Sequence, residues 1–330
     1  MLRIVFMGSD AIALPALNWL AGDGQSPGKV VAVFTQPDRA VGRGQKVQPN
    51  AIKLWAEARA LPVWQPVKFG VEEGARLSAI NPDLVLVMAY GHILRQDVID
   101  TPRLGTLNLH TSVLPHYRGA SPIQTAIANR ERETGVTLMR MVLELDAGPV
   151  ADVEKIVIDP LDTADEVEAK LAGACVPLLT RCLPAISAGT QPFAAQDPAA
   201  ATFCRRLEKG DGAVDFQAPA SVLAGRINGL MPWPGCAVSI NGQVVKLGLA
   251  DIVASETKVR PGLVLGSDAD GLLVGTGDGV LRLRRLQRPG GRMLPAAEFL
   301  RGWPVPAGTE LPSGPMPRLV SSAPFPRGSK

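Results

Sequence analysis

Histidine and tyrosine are nearly missing from this chain of 330 residues, which has three of the former and two of the latter. So few imidazoles leave little with which to build a metal centre. The four cysteines, Cys175, Cys182, Cys204 and Cys236, form no CxxC pair, so neither a zinc ribbon nor a redox motif is expected. Scattered thiols of this kind fit a reducing cytoplasm. No uninterrupted apolar run approaches the ~20 residues that span a bilayer, so no membrane association is expected. The apolar part of "MLRIVFMGSD" is too short for a signal-peptide core and reads as a first strand. The glycine turn "MGSDAIA" lacks a complete GxGxxG, which weakens a dinucleotide-binding reading. No serine or cysteine sits in a nucleophile elbow, and there are no internal repeats. The formal charge of +3 is mild; it permits a polyanionic partner without demanding one.

What is present is an alternation of strand-like and helix-like segments. "RIVFM" (3–7), "KVVAVFT" (29–35), "DLVLVMA" (83–89) and "GTLNLH" (105–110) are nearly continuous apolar runs, as in parallel strands buried on both faces. "IALPALNWLA", "AIKLWAEARA" and "EGARLSAI" between them have helical spacing. The pattern predicts a doubly wound α/β unit with a mostly parallel sheet, whose ligands bind outside the carboxyl ends of the strands. "GVTLMRMVLELD" and "PVADVEKIVI" follow as a strand pair turning at Ala147-Gly148. Thr163 and Glu166 then have capping-box spacing ahead of a helix with Val167, Leu171 and Ala174 on one face. After small residues and prolines at 187–204, the pattern changes to short strands split by Asn241-Gly242 and Asp278-Gly279, both hairpin signals. That predicts a small, all-β, OB-like barrel. The expected division is 1–188 for the α/β domain, 189–204 for a linker, 205–310 for the barrel and 311–330 for a disordered tail.

Two of the scarce histidines fall in "GTLNLHTSVLPHYRGASPIQ" (105–124). Asn108 and His110 alternate along one strand and so point the same way at its carboxyl end. An amide donor beside an imidazole suits stabilisation of an oxyanion together with proton transfer. Asp146, in "LELDAG", is the carboxylate placed to orient the imidazole, because it follows the next predicted strand. With neither an elbow nucleophile nor enough metal ligands, the set points to direct acyl transfer. On spacing alone, strand-end residues satisfying turn backbone explain Asn108 and His110 equally well, and Asp146 reads first as a turn former. His92 and His116 read as loop residues without a catalytic role.

"NLH", "SVLPHYRGASPIQ" and "LDAG" together resemble the folate-dependent formyltransferases. The resemblance implies that Asn108 and His110 bind the formyl oxygen and its tetrahedral adduct, while Asp146 raises the basicity of His110 and relays protons. It implies that Ser112, Val113, Leu114 and Pro115 contact the reduced folate, and that Met88, Tyr90 and Gly91 of "MAYG" wall its pterin pocket. "FMGSDAIALPAL", "VFTQPDRAVGRGQKVQPNAIK", "NGLMPWPGC" and "GTGDGVLRLRRLQRPGG" are similar to the methionyl-tRNA branch of that superfamily over about residues 3–305. The implied formyl donor is 10-formyltetrahydrofolate, with no metal, and the implied acceptor is methionyl initiator tRNA. A cytoplasmic monomer is expected. Asp10-Ala11, His92 and Arg95 depart from the family pattern.

Two basic segments bear on a tRNA partner. Arg39, Arg43 and Lys46 lie in a loop after the second strand, with Asp38 beside them. Arg282, Arg284, Arg285, Arg288 and Arg292 cluster near Asp278 in the barrel, and Arg282 and Arg284 share one strand face. Solvated surface charge explains both on spacing alone; the resemblance implies contacts to tRNA. Trp233, between two prolines, reads as packed rather than as a stacking surface.

Overall fold

The near-continuous apolar runs become the strands of one sheet. The computed structural model describes residues 1–22, 26–41, 44–254 and 258–326. Within it, β1 (Leu2–Gly8), β2 (Gly28–Phe34), β3 (Val63–Trp64), β4 (Leu84–Met88), β5 (Thr106–His110), β6 (Glu133–Arg140) and β7 (Val150–Val157) are ordered β7-β6-β5-β4-β1-β2-β3. β1 runs parallel to β2 and β4, β2 to β3, and β4 to β5, whereas β5 and β6 are antiparallel. Val5 and Met7 pack with Leu77 and Val98 on one face, and Ile4 and Phe6 between them are equally buried, so both faces are covered. This is why the strands read as continuous rather than alternating runs. From β1 the chain winds outward to β2 and β3, then returns to the other side through β4 and β5. Strand order therefore reverses between β1 and β4, the position where such sheets bind ligands.

The helices form where apolar spacing placed them, at Leu14–Ala21, Ala51–Glu57 and Val71–Ile80. The expected capping box exists: the Thr163 amide donates to the Glu166 carboxylate at 2.9 Å. It opens the helix Ala164–Ser187. By length and composition alone this helix is long and apolar enough to cross a membrane. Val167, Leu171, Cys175, Leu178, Leu179 and Leu183 are buried, which accounts for its apolar character as that of a core helix.

Two compact units emerge, and neither is contiguous in sequence. One comprises Met1–Arg118, Gly135–Ile156 and Ala169–Ala201; the other comprises Gly119–Thr134, Val157–Glu168 and the chain from Thr202 onward. The division expected near residue 188 is drawn along the chain, whereas each of these units is assembled from three segments of it. The helix Pro122–Ala128 packs on the helix Ala220–Gly229 of the second unit. Gly229 permits that approach, because a Cβ there would lie 2.6 Å from the Gln124 carbonyl oxygen.

The second unit is built on β8 (Cys236–Ile240), β9 (Gln243–Val253), β10 (Val264–Ser267), β11 (Leu272–Gly275), β12 (Val280–Gln287) and β13 (Leu294–Pro295). Their order is β8-β9-β12-β11-β10, with β13 on β12, and every pairing is antiparallel. Asn241 and Gly242 both take positive φ in the β8–β9 turn, as a type I′ hairpin requires. Buried Asn228 spans the irregularity of β9 by accepting from the Ala250 amide at 2.8 Å and donating to the Ala250 carbonyl at 2.9 Å.

The segments expected to lack structure are tied in instead. Ala194 and Val150 exchange two backbone hydrogen bonds of 2.8 Å within the first unit. In the second, Phe203–Cys204 pairs antiparallel with Val320–Ser321, and Leu311 and Leu319 are buried. Arg226 donates to the Pro317 carbonyl at 3.1 Å, and the Phe216 amide donates to Ser313 Oγ at 2.9 Å. Residues 311–321 are therefore held in place by long-range pairing that their Pro-rich composition hides. Trp233 also departs from expectation: it is 52% exposed rather than packed.

Candidate active site

The end of β5 brings the scarce polar residues to the carboxyl edge of the sheet. Asn108 lies opposite Val87 on one side and Met139 on the other, and His110 lies opposite Thr137. The Asn108 carboxamide is half-buried and has no hydrogen-bond partner among the described residues. His110 is 6% exposed, with Nε2 3.0 Å from the carbonyl oxygen of Tyr117. A carbonyl can only accept, so Nε2 carries a proton. The nitrogen left to gain or lose one is Nδ1, which faces Asp146 Oδ2 at 3.8 Å. That separation exceeds a direct hydrogen bond. The three residues expected to act together are thus gathered in the first unit.

The loop after β5 explains why a carbonyl stands opposite Nε2. Buried Ser112 donates to the His116 carbonyl at 2.6 Å, and the His116 amide donates to the Val113 carbonyl at 3.1 Å. Buried Thr137 closes the loop from β6: its hydroxyl accepts from the Leu114 amide at 3.2 Å and donates to the Ser112 carbonyl at 2.6 Å. The chain then reaches Tyr117 in the left-handed region, at φ 58°. Ser112 is committed to its own loop, where Val113 and Pro115 are half-buried and Leu114 is buried. Thr137 and the Tyr117 carbonyl were not foreseen from sequence. The one available signal was a threonine on the strand adjoining "NLH".

In "MAYG" the first and third side chains are buried. Met88 is fully buried with Sδ 4.0 Å from Cys175 Sγ, and Tyr90 is buried against Phe69 and His92. The Tyr90 carbonyl accepts from Gln36 Nε2 at 2.9 Å, and Gly91 takes φ 77°. The side chains of Met88 and Tyr90 both belong to the core beneath the sheet edge. Burial pushes the Tyr90 phenol far up from its ordinary value and lowers the pKa of His92, which keeps both neutral.

The basic segments divide. Arg39 and Lys46 are exposed on a short hairpin, Arg39–Val41 with Lys46–Gln48. Asp38 does not offset them, because its carboxylate binds Lys53 and Gln65, each at 2.7 Å. Arg43 lies outside the described residues. In the second unit the expected cluster around Asp278 is corrected. Arg282 binds Asp251 and Asp268 at 2.8 and 3.0 Å, and Arg284 binds Asp251 and Asp270 at 2.8 and 3.1 Å. Cross-strand pairing brings Asp251 against Arg282, whereas Asp278 supplies its carbonyl to the turn and to the Ala220 amide. Only 19% and 23% exposed, these two guanidiniums are neutralised by three carboxylates. Arg285 on that strand and Arg288 just beyond it are exposed, as is Arg292, which binds Glu298 at 3.2 Å. Among the described residues no group of histidine, cysteine and carboxylate side chains could hold a metal ion.

Comparison with known proteins gives a consistent result. Residues 2–183 match the Formyl transferase family model, and residues 206–304 match the Formyl transferase, C-terminal domain. The chain is 42% identical over 294 residues to a methionyl-tRNA formyltransferase of Ectopseudomonas mendocina, covering 89% of this chain and 92% of that one. It is 39% identical over 300 residues to that of Methylococcus capsulatus, covering 91% and 96%. Among solved structures, the N-formyltransferase of Helicobacter canadensis in complex with folinic acid and dTDP-3-aminofucose superposes with TM-score 0.64 at 20% identity, over 87% of this chain and 100% of that one. HypX of Aquifex aeolicus in complex with tetrahydrofolic acid gives 0.56 at 20%, over 91% of this chain and about half (47%) of its own. These two share the fold.

The Thr137 hydroxyl generates a prediction. Thr137→Val leaves a buried amide and carbonyl unpaired and should destabilise the first unit by about 1–3 kcal/mol in urea unfolding. Thr137→Ser should restore most of it. Equal stability of the valine and serine variants would contradict the role given to that hydroxyl.

Proposed function

The chain belongs to the formyl transferase family, and from that premise we propose that it moves a formyl group from 10-formyltetrahydrofolate to the α-amine of methionine esterified to initiator tRNA. The observation that carries the reading is the His110 ring, fixed by the Tyr117 carbonyl so that Nδ1 faces Asp146 beside an unengaged Asn108 carboxamide. The relatives' shared name over nine-tenths of the chain supports the acceptor. The folate supplies an activated formyl carbon and a nitrogen leaving group.

The chain's part in the reaction is electrostatic and protonic. Attack by the free amine makes a C–N bond and turns the formyl oxygen into an oxyanion, which Asn108 Nδ2–H and His110 Nδ1–H receive as donors. Asp146 faces the same nitrogen and offsets the positive charge of the protonated ring. Collapse breaks the bond to the folate nitrogen, and the proton shed by the amine passes to that nitrogen through His110 and Asp146. Val113, Leu114, Pro115 and the backbone of Met88, Tyr90 and Gly91 form the folate-facing edge. We assign the chemistry to the α/β unit and tRNA contact to Arg39, Arg43, Lys46, Arg285 and Arg288, with residues 205–310 as the tRNA-binding part. Arg282 and Arg284, engaged by carboxylates, brace that surface. The protein acts as a monomer in the cytoplasm, where its acceptor is made; the free, buried cysteines agree with a reducing compartment.

Two outcomes follow. His110→Ala and Asp146→Ala should each lose turnover by ~10²–10⁴-fold with the fold retained. Near-normal transfer to methionyl initiator tRNA by either would sink the assignment. Arg285→Ala and Arg288→Ala should each make the logarithmic salt dependence of tRNA binding shallower by ~0.7–1 unit. An unchanged slope would remove them from the interface.

A further inference from the structure

We propose that Gln196, in the segment that composition marks as a linker, is a positioning residue that clamps the turn presenting the Asp146 carboxylate. The proposal rests on the role given to Asp146 above. The Gln196 amide nitrogen donates to two carbonyls of that turn, Asp146 at 2.8 Å and Gly148 at 2.7 Å. Its oxygen accepts from Arg118 Nε and Nη2 at 3.1 and 2.8 Å. Arg118 is only 3% exposed. A buried guanidinium on the amide oxygen polarises the NH2 and strengthens both donations.

The turn needs such a clamp. Asp146 takes φ 48°, a left-handed conformation that a non-glycine residue keeps where the surroundings impose it. Gly148, two residues on, packs so tightly that a Cβ would lie 1.8 Å from the Arg140 carbonyl oxygen. The Arg140 amide closes the loop by donating to the Pro149 carbonyl at 2.9 Å. Gln196 is itself held on both sides. Ala194 pairs with Val150 just before it, and Asp197 caps a short 3₁₀ turn just after it through the Ala199 amide at 2.9 Å. A fixed donor thus sets the main chain at Asp146, and through it the 3.8 Å between carboxylate and His110 Nδ1.

Glutamine is the side chain this place demands. Glutamate would pair more strongly with Arg118 but would turn a carboxylate oxygen toward two carbonyls. Gln196→Glu should therefore lose at least as much kcat as Gln196→Ala, ~10–100-fold, since small displacements of catalytic groups cost that much. KM for the folate donor and for methionyl initiator tRNA should stay within about twofold. In an Asp146→Ala background Gln196→Ala should cost less than about twofold more, because its effect runs through Asp146. An acceptor-free readout is amide hydrogen exchange over residues 141–149, which should quicken roughly 10-fold in Gln196→Ala when these bonds are lost. Unchanged kcat in both variants, the same loss in the Asp146→Ala background, or unaltered exchange over 141–149 would each overturn the clamp. Absence of transfer by the unsubstituted chain would instead strike the acceptor assignment.

Discussion

The Nε2–H of His110 donates to the Tyr117 carbonyl at 3.0 Å, and this bond decides which nitrogen is left for chemistry. With Nε2 occupied, Nδ1 is the atom that faces Asp146. An imidazole free to rotate would present either nitrogen and lose that preorganisation. Several features of the first unit serve this geometry. Thr137 and Ser112 fold the loop so that a carbonyl lies where Nε2 needs it, and the Asp146 turn holds its carboxylate on the opposite side. The sheet supplies a rigid edge at the carboxyl end of β5, the strand next to β4, so Asn108 and His110 sit on a scaffold rather than on a loose surface.

Charge is distributed with equal economy in the second unit. Five acidic and basic groups, Arg282, Arg284, Asp251, Asp268 and Asp270, close on one another across the strands. Partly buried guanidiniums in such a network are costly to separate from their carboxylates, so they shape the surface more than they attract a polyanion. Arg285 and Arg288 stand exposed outside this network. A mild overall charge is compatible with nucleic-acid contact when exposed positive groups are grouped.

The sequence carried the architecture well because its strongest signals are local. Strands buried on both faces must be continuously apolar, and a β-strand puts Asn108 and His110 on one side whatever else happens. Groups whose importance comes from distant partners were not readable. A backbone carbonyl such as Tyr117's has no sequence signature. Thr137 matters only because β6 lies beside β5. Asp278 was chosen for its nearness to the arginines along the chain, whereas the pairing of β9 with β12 delivers Asp251 instead. The tail looked disordered because proline and serine outnumber its apolar residues; two buried leucines and a two-residue strand pairing hold it nonetheless.

The central claim is the assignment of the two His110 ring nitrogens, and ring ¹⁵N NMR tests it directly in a chain with three histidines. At alkaline pH, where the ring is neutral, His110 should show a proton-bearing Nε2 and a bare Nδ1. His110→Asn identifies the signal, and on acidification the new proton should appear on Nδ1. A neutral ring with its proton on Nδ1 would contradict the account, because the Tyr117 carbonyl would then face a nitrogen with nothing to donate.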